Sequence, residues 1–353
     1  MSHQLPEMGK ISAQVFDELI FPHLGAKSNL VLTPPQHGVD VGIIDLGNGK
    51  VMALTSDPVF IVPEYGFEKA AWFAIHILVS DAVTSGLKPS FLCIDLNLPL
   101  SLSKDDLSTI WLIIDRECKK MGINIISGHT ARYQGCNYPM VGGATVICIG
   151  DKDRYVTPKM AQIGDKIILT KGAAIEASGI FAVAFKERIR QEFGEEFGQR
   201  AEKIFWQMSV VEDALTAASV GTREKGVTSM HDATECGVWG GLYEVAKASN
   251  VGMRIEKDEI IISDEVDKIC AKFGMDPYSS ISEGTLIITC KEQKVEFLVQ
   301  RLNQKKIPCS VIGEITDDKK GIIVIEKGAE HKLEHPQVDP FWGAFAKALS
   351  NNR

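Results

Sequence analysis

Four short polar segments, far apart in the chain, contain the residues that could do chemistry. They lie at residues 54–58 (Leu-Thr-Ser-Asp-Pro), 80–82 (Ser-Asp-Ala), 127–130 (Ser-Gly-His-Thr) and 230–237 (Met-His-Asp-Ala-Thr-Glu-Cys-Gly). Each places a carboxylate or an imidazole beside small or hydroxyl residues, where a helix or strand pattern gives way to a loop. Because Mg²⁺ takes hard oxygen ligands, usually one or two carboxylates plus phosphate oxygens, these segments indicate a polyphosphate held through a divalent metal.

Three aspartates are the candidate metal ligands, and each has a structural alternative. Asp57 follows a strand pattern, and Pro58 directly after it is predicted to end the strand and place the carboxylate in a loop. Asp81 lies on an apolar helix, where a carboxylate is rarely buried unless it is paired or binds a metal. Asp40 lies in a Gly-x-Asp-x-Gly segment, whose glycines would let the backbone approach a phosphate. The alternatives are a turn for Asp57, a capping role for Asp81 and a chance pattern for Asp40.

The other polar segments are predicted to lie at the ends of secondary-structure elements. Gly128-His129-Thr130 should form a loop after a strand, a common ligand position in α/β sheets. His129 could bind a metal, donate to phosphate or transfer a proton, and a structural histidine is an equally good explanation. Thr234 is a natural helix cap, and the free amides of the helix that follows could bind phosphate. Capping explains Thr234 but leaves the adjacent His231 and Asp232 unexplained.

The elements that must position these residues form two α+β halves of similar size. The first half combines strand patterns with a helix predicted at 67–86 and a second helix that Ser103 caps and Gly122 closes. The pattern breaks near the middle of the chain. We therefore predict domains at residues 1–155 and 156–353.

Composition and charge argue against several classes of protein. The 353 residues are 45% hydrophobic and 24% charged, as expected for a folded globular protein of two domains. A net charge of −8 argues against a nucleic-acid partner. The first ten residues lack the apolar run of a signal peptide, and no stretch is apolar enough to span a bilayer. A cytoplasmic protein is expected, and the eight cysteines fit neither a zinc site nor a disulfide framework.

Taken in order, the segments resemble the motifs of the AIR synthase-related (PurM-like) superfamily. This superfamily includes hydrogenase maturation protein HypE, thiamine-monophosphate kinase and selenophosphate synthetase, and the likeness to HypE is the closest. It extends over residues 9–327, and residues 230–237 are similar to Met-Arg-Asp-Pro-Thr-Arg-Gly-Gly. The other matches are Gly9-Lys10-Ile11 with Gly-Lys-Ile/Leu, Asp40 with the first aspartate motif, 55–57 with Thr-Thr-Asp, 80–82 with Asn-Asp-Val/Ile-Ala, 128–130 with Gly-Asp-Thr, 276–277 with Asp-Pro, and 282–284 with Asn-Glu-Gly.

The resemblance implies a two-domain α+β fold of the PurM type. Its N-terminal half would contain a four-stranded sheet that pairs across a homodimer into a barrel, and its C-terminal half would be an α/β sandwich domain. ATP and Mg²⁺ would bind in a cleft, with the metal held by Asp40, Asp57 and Asp81. Catalysis would depend on Asp81, His129 and Asp232. The residues expected to bind the nucleotide are Lys10, Asp40, Asp57, Gly128, Thr130, Thr234, Gly237 and Glu283.

Three departures from the HypE pattern accompany the resemblance. His129 replaces an aspartate, Glu235 and Cys236 replace Arg-Gly, and the chain ends without the Pro-Arg-x-Cys of HypE. The expected activity is ATP- and Mg²⁺-dependent phosphoryl transfer to an amide-like or small-molecule acceptor, linked to hydrogenase maturation and a maturation-protein partner. A small-molecule kinase of the thiamine-monophosphate kinase type and a nucleotide-binding scaffold without turnover are the alternatives.

Overall fold

A computed structural model describes residues 9–350 of the chain. Predictions that rest on residues 1–8 or 351–353 therefore lie outside the described residues. Within the described range the chain forms two sheets, each built from one half of the sequence. The predicted division at residues 155/156 falls in the segment between the two sheets and remains a prediction. None of the described helices is long and apolar enough to cross a membrane.

The N-terminal sheet consists, among the described residues, of β1 (Val31–Thr33), β2 (Gly42–Gly47), β3 (Lys50–Phe60), β4 (Pro89–Leu98), β5 (Asn124–Arg132) and β6 (Met140–Asp151). The strand order is β1-β2-β3-β6-β4-β5. Neighbouring strands are antiparallel except β4 and β5, which are parallel. The sheet is therefore wider than the four strands expected from the resemblance, because further strands pair at its edges.

The helices of this half are α1 (Ala13–Val15), α2 (Phe67–Val83) and α3 (Lys104–Met121), with a π-helical turn at Phe16–Ile20 and 3₁₀ turns at Phe21–His23 and Pro63–Tyr65. The predicted boundaries of α3 are confirmed. Ser103 Oγ accepts a hydrogen bond from Asp106 N at 3.1 Å, and Gly122 closes the helix in the left-handed conformation. Helix α2 is apolar around most of its surface and buries eleven of its residues, so it lies in the core.

One face of the N-terminal sheet is packed and the other is open. On β4, Leu92, Ile94 and Leu96 are at most 3% exposed, whereas the alternating residues Cys93 and Asp95 are only partly buried. Helix α2 packs on the buried face. Among the described residues no helix covers the opposite face, so its polar side chains border an open groove.

The C-terminal sheet consists, among the described residues, of β7 (Lys166–Thr170), β8 (Val227–Asp232), β9 (Gly252–Glu256), β10 (Leu286–Cys290), β11 (Cys309–Thr316), β12 (Ile322–Glu326) and β13 (Ala329–Lys332). Its order is β13-β12-β9-β11-β7-β10-β8. Strands β9 and β12 are parallel, and the other pairs are antiparallel. Strands β8 and β10 are buried along their whole length, which agrees with a sheet packed on both faces.

The described helices of this half are α4 (Ile175–Ala184), α5 (Lys186–Phe193), α6 (Glu195–Glu202), α7 (Val211–Ser219), α8 (Gly237–Ser249), α9 (Asp264–Phe273), α10 (Glu292–Gln304) and α11 (Pro340–Ser350). They cover both faces of the sheet. Ile168 lies in one apolar core with Phe181 of α4. Ile167 and Leu169 point the other way, into a second core with Leu242 of α8. The predicted two-domain α+β architecture is thus confirmed.

The two halves are joined through α2. Ser80 Oγ accepts a hydrogen bond from Val210 N at 3.0 Å, and His76 Nδ1 lies 2.8 Å from Ser209 Oγ. The larger core includes residues of both halves, Ala82 and Met230 among them. The C-terminal end of α2, which bears Asp81, is therefore held against the C-terminal domain.

A buried carboxylate on α3 gives the fold an acid-sensitive anchor. Glu117, 2% exposed, is 2.8 Å from Arg116 Nε, 2.9 Å from Lys120 Nζ and 3.5 Å from His76 Nε2. Burial lowers the pKa of His76, so its neutral ring donates a hydrogen bond. That hydrogen bond, together with those from Lys120 and Arg116, outweighs burial and lowers the pKa of Glu117 from 4.5 to about 2.

Replacing Glu117 by Gln should therefore destabilise the fold in a pH-dependent way. A carboxylate with a lowered pKa stabilises the folded state above its ordinary pKa, and this contribution is lost as pH falls toward 2. We expect Glu117→Gln to lower the free energy of unfolding by about 1–3 kcal/mol at pH 7, measured by urea denaturation. The difference should shrink below pH 4.5. Asp115→Asn on the same helix should cost less than about 0.5 kcal/mol; an equal Glu117→Gln effect at pH 7 and pH 3 would contradict this account.

Candidate functional site

Five carboxylates from distant parts of the chain meet at the junction of the two halves. We call Asp40, Asp57, Asp81, Asp232 and Glu283 the carboxylate cluster. Asp40 precedes β2, Asp57 lies on β3, Asp81 is near the end of α2, Asp232 ends β8, and Glu283 lies in the loop before β10. In addition to burial, Asp232, Asp57 and Asp40 raise the pKa of Asp81, Glu283 and Asp40 raise that of Asp232, and Asp81 raises that of Glu283. The structure therefore brings these five predicted site residues together, and their roles remain proposals.

Asp57 and Asp81 are linked through a shared hydroxyl. Thr55 Oγ1 lies 3.4 Å from Asp57 Oδ2 and 3.3 Å from Asp81 Oδ2. Burial raises the pKa of Asp81 well above its ordinary value, and the charge of Asp232 and the contact with Asp57 raise it further. A carboxylate in this position is costly unless a cation compensates it.

The prediction that Pro58 ends the strand and places Asp57 in a loop is wrong. Strand β3 continues from Lys50 to Phe60, and its register with β6 shifts between Pro58 and Phe60. The missing N–H of proline is thus accommodated next to an irregularity in the ladder. Because side chains alternate along a strand, Asp57 points to the same face as Thr55, toward α2.

Asp232 and Glu283 form the deepest part of the cluster, and each is 2% exposed. Burial raises the pKa of both carboxyl groups well above ordinary values; the charge of Glu283 adds to it at Asp232, and that of Glu176 at Glu283. Asp232 Oδ2 and Glu283 Oε1 receive no hydrogen bond from an amide, hydroxyl or basic group of the described residues, and the two carboxyl groups are hydrogen-bonding neighbours of each other. Glu176, whose pKa burial raises to about 8, accepts a hydrogen bond from Glu283 N at 3.1 Å. Burial therefore favours the protonated form of these carboxyl groups, and a bound cation would favour their charged form.

Two cations lie among these carboxylates. Burial lowers the pKa of Lys10, but the charges of Glu244, Asp81, Asp40 and Asp232 more than offset it and hold the pKa above its ordinary value. The backbone N–H of Lys10 donates to Glu235 Oε2 at 3.0 Å. Lys10 thus lies near the candidate ligands, and its hydrogen bond to Glu235 holds this part of the N-terminal segment in place.

His231 is the second cation, and sequence reasoning did not assign it a role. Its Nδ1 lies 2.8 Å from Asp40 Oδ1, and its Nε2 lies 2.8 Å from Glu244 Oε2. Burial lowers the pKa of His231, but Asp40 and Glu244 raise it well above its ordinary value. The paired charge lowers the pKa of Glu244 to about 2 against the effect of burial. The signal that could have found His231 is a charged residue inside an otherwise buried strand.

The start of α8 differs from the prediction. Thr234 does not cap it; the helix begins at Gly237, and Cys236 occupies the cap position in the left-handed conformation. The first amides are already used: Cys236 N donates to Asp339 Oδ2 at 2.7 Å, and Gly237 N donates to Thr234 O at 3.1 Å. The expected phosphate site on these amides is therefore occupied by groups of the protein itself. Burial also raises the pKa of Cys236 to about 12, which argues against a reactive thiolate.

The Gly128-His129-Thr130 segment is strand rather than loop, because β5 extends from Asn124 to Arg132. Residue 129 pairs with Asp95 of β4, and His129 Nε2 lies 3.0 Å from Tyr133 Oη. Among the described contacts, no hydrogen bond or ion pair joins His129 to the carboxylate cluster. The structure thus does not place it beside Asp81 and Asp232, as the predicted catalytic set would require.

His129 instead lines a groove on the open face of the N-terminal sheet. The groove has a volume of about 590 Å³. Asp57 belongs to the carboxylate cluster and also borders this groove. Gly128 borders the groove but does not belong to the cluster. The other lining residues are Ser56, Pro58, Cys93, Ile94, Asp95, Gly142, Gly143, Ala144 and Thr145.

The protein thus has a two-domain α+β fold with a cluster of buried acidic side chains at the junction of the domains. The family model described as AIR synthase related protein, N-terminal domain, matches residues 38–161. The corresponding C-terminal domain model matches residues 162–326. The chain belongs to the AIR synthase related family, and the resemblance read from its motifs is confirmed.

Relatives and solved structures extend this assignment. Carbamoyl dehydratase HypE of Azotobacter vinelandii is 21% identical over 290 residues, 81% of each chain. Thiamine-monophosphate kinase of Aquifex aeolicus is 21% identical over 243 residues, 68% of this chain and 74% of the relative. The crystal structure of a HypE–HypF complex matches with a TM-score of 0.72 and 20% identity, covering 91% of this chain and 99% of the other. HypE in complex with ATP matches with a TM-score of 0.58 and 18% identity, covering 95% and 98%.

Proposed function

We propose that the protein is an ATP- and Mg²⁺-dependent, HypE-like enzyme that activates an amide-like or small-molecule acceptor by phosphoryl transfer. The observation that carries the proposal is the carboxylate cluster, in which five acidic groups from both halves meet and three of them, Asp40, Asp81 and Asp232, act on Lys10. A purely structural role would not require this concentration of buried negative charge, which is unfavourable without cations. An ATP complex is known for a HypE of the same fold.

The side chains present fit a magnesium–nucleotide complex. Asp40, Asp57 and Asp81 would hold the metal, as oxygen ligands that Mg²⁺ prefers. The adjacent carboxyl groups of Asp232 and Glu283, which receive no hydrogen bond from an amide, hydroxyl or basic group of the described residues, support further ligand capacity in the deeper part of the cluster. Bound Mg²⁺ would neutralise and orient the phosphates.

Each nucleotide-binding residue has a proposed contribution. Lys10 would contribute a positive charge to the phosphates, and Glu283 would supply a carboxylate when a bound cation favours its charged form. The backbone N–H of Gly237 already donates to the carbonyl oxygen of Thr234, so these groups are not free to bind phosphate. Thr234 and Gly237 would contribute instead as part of the loop 232–237, which would close over the nucleotide. Gly128, His129 and Thr130 would bind on the side of the open groove, toward the phosphate or acceptor. Catalysis would come from positioning and charge neutralisation by Asp81 and Asp232, as in other phosphoryl transfers.

The groove beside Asp57 favours a second candidate activity, that of a small-molecule kinase. Its volume of about 590 Å³ is large enough for a small acceptor. Thiamine-monophosphate kinase of Aquifex aeolicus belongs among the relatives of the chain. Under this alternative, the acceptor would bind in the groove that Asp57 borders.

Assembly and location complete the proposal. The open face and exposed edge strand of the N-terminal sheet, with Ile126 and Met140 more than half exposed, support pairing of two copies into the expected barrel. The HypE of a related structure forms a complex with HypF, which supports a maturation-protein partner here. All eight cysteines are free thiols, as expected in the reducing cytoplasm. Residues 1–155 and 156–353 are the proposed domains.

Turnover of ATP by the Asp57→Asn variant tests the proposal. We expect the wild type to release ADP and phosphate in the presence of Mg²⁺, and the variant to be slower by about 100-fold or more, because a ligand charge is lost while the side-chain shape is kept. Asp45→Asn changes a partly buried partner of Lys152 outside the cluster and should retain full turnover. Nucleotide binding without turnover in wild type and variant alike would favour the scaffold alternative.

A further inference from the structure

His231 gives the cluster a ligand of a different kind from the carboxylates. We propose that Asp40, His231 and Asp232 form a site for a transition-metal ion such as Zn²⁺ or Co²⁺, with Glu244 orienting the imidazole. This inference deepens the proposed function, because Asp40 belongs to both sites, but binding of this ion does not require a nucleotide.

The three side chains have the geometry of a ligand set. One ligand atom from each lies within 4.8 Å of the others. The side chains of His231 and Asp40 are 3% and 8% exposed, and Asp232 is 2% exposed. His231 Nδ1 lies 2.8 and 3.0 Å from the two oxygens of Asp40. In an octahedral site, two neighbouring ligand atoms at about 2.1 Å from the metal are about 2.9 Å from each other, which is close to these separations.

Glu244 supplies the support that metal-bound histidines have. Its Oε2 accepts a hydrogen bond from His231 Nε2 at 2.8 Å. A proton held on Nε2 leaves the Nδ1 lone pair facing Asp40, which is the orientation a metal ligand needs. Carboxylate–histidine–metal arrangements of this kind fix the ring and increase its basicity.

Asp232 provides an independent indication of a cation. Its Oδ2 is buried and receives no hydrogen bond from an amide, hydroxyl or basic group of the described residues; its neighbour there is the carboxyl group of Glu283. Two buried carboxyl groups in contact must share a proton or bind a cation. The same carboxylate belongs to the ligand set, so one metal would satisfy it.

The imidazole selects the class of ion. Imidazole ligands suit Zn²⁺ and similar late transition-metal ions, whereas Mg²⁺ favours sites made of oxygen. His231 also stands where the related motif has its first arginine, a residue that cannot bind a metal. Without a metal, the ring serves as a cation between Asp40 and Glu244, and a bound ion would replace the proton on Nδ1.

Cobalt binding by the metal-free, full-length protein tests the proposal without nucleotide. We expect one Co²⁺ per chain, a visible absorption band, and an X-ray absorption signature of one imidazole ligand, with millimolar Mg²⁺ failing to displace the ion. His231→Gln and Asp232→Asn should each weaken binding at least about tenfold, and Glu244→Gln by about 10–100-fold. His76→Gln, which removes another glutamate-paired histidine outside the site, should leave binding unchanged.

Substitution by arginine separates ligation from charge pairing. His231→Arg keeps a cation between Asp40 and Glu244 but cannot ligate, so it should lose Co²⁺ as His231→Gln does. Retained Co²⁺ affinity in His231→Arg, or an X-ray absorption spectrum of the wild type without imidazole, would overturn the proposal. The wild-type spectrum decides the matter even if a variant fails to fold. If the wild type fails to bind Co²⁺ through an imidazole but keeps Mg²⁺-dependent ATP turnover, only the transition-metal site is refuted. If it binds Co²⁺ in this way but shows no ATP turnover, only the proposed function is refuted.

Discussion

Asp81→Asn should abolish Mg²⁺-dependent nucleotide binding and at the same time stabilise the protein. Asparagine keeps an acceptor for Thr55 Oγ1 but removes a ligand charge, so affinity for Mg²⁺–ATP should fall by about 100-fold or more. Burial raises the pKa of Asp81, and neighbouring Asp232 raises it further. A carboxyl with a raised pKa destabilises the fold above its ordinary pKa, and removing it should add on the order of 1 kcal/mol at pH 7.

Measuring both nucleotide binding and stability for Asp81→Asn distinguishes a role in ligand binding from a structural role. Calorimetric titration with ATP and Mg²⁺ measures the loss of binding, and thermal unfolding without ligand measures the gain in stability. The stability gain should disappear at acidic pH, where the wild-type carboxyl is protonated in both states. Lower stability together with lower affinity would mean that Asp81 has a structural role in α2 instead of a role in ligand binding.

Gly128→Ala should be among the most damaging single substitutions in the N-terminal sheet. A Cβ at this position would lie 2.0 Å from the carbonyl oxygen of Ile94 on the neighbouring strand. Ile94 and Gly128 are paired residues of β4 and β5, so the steric clash could be removed only by moving one strand away from the other. We expect a loss of about 3 kcal/mol or more in the free energy of unfolding, measured by denaturant titration.

Gly143→Ala is the matched control, because Gly143 lines the same groove. Its nearest neighbour to an added Cβ is the carbonyl oxygen of Asp57 at 3.6 Å, an ordinary contact. This variant should change stability by less than about 1 kcal/mol. Similar costs for the two alanine variants would show that backbone approach at Gly128 is not the reason for a glycine there. The predicted nucleotide role of Gly128 would then regain weight.

Local sequence signals predicted the helices better than the strands. Ser103 and Gly122 mark the ends of α3 because a capping hydroxyl and a left-handed glycine act on neighbouring backbone groups. The predictions of a strand end at Pro58 and of a loop at residues 128–130 are wrong, because the tolerance of a strand for proline and glycine depends on partner strands that local sequence does not reveal. In the structure, a register shift accommodates Pro58, and close backbone packing accommodates Gly128.

The site was predicted in part for the same reason. Motifs in a known order placed Asp40, Asp81 and Asp232 together, because a family fold fixes where distant segments meet. The pairing of His231 with Glu244 depends on a contact between β8 and α8, and no spacing rule predicts it. His129 occupied a family motif position, yet its strand directs it toward the open groove.

The carboxylate cluster as a magnesium–nucleotide site is the central claim, and calorimetric titration of the wild-type protein with ATP tests it most directly. The titration is made once with Mg²⁺ and once with a chelator. We expect saturable binding with Mg²⁺ that weakens at least about tenfold without it, because carboxylates and phosphates repel each other unless a metal lies between them. Binding of equal strength in both titrations, or none in either, would contradict the claim while leaving the fold unchanged.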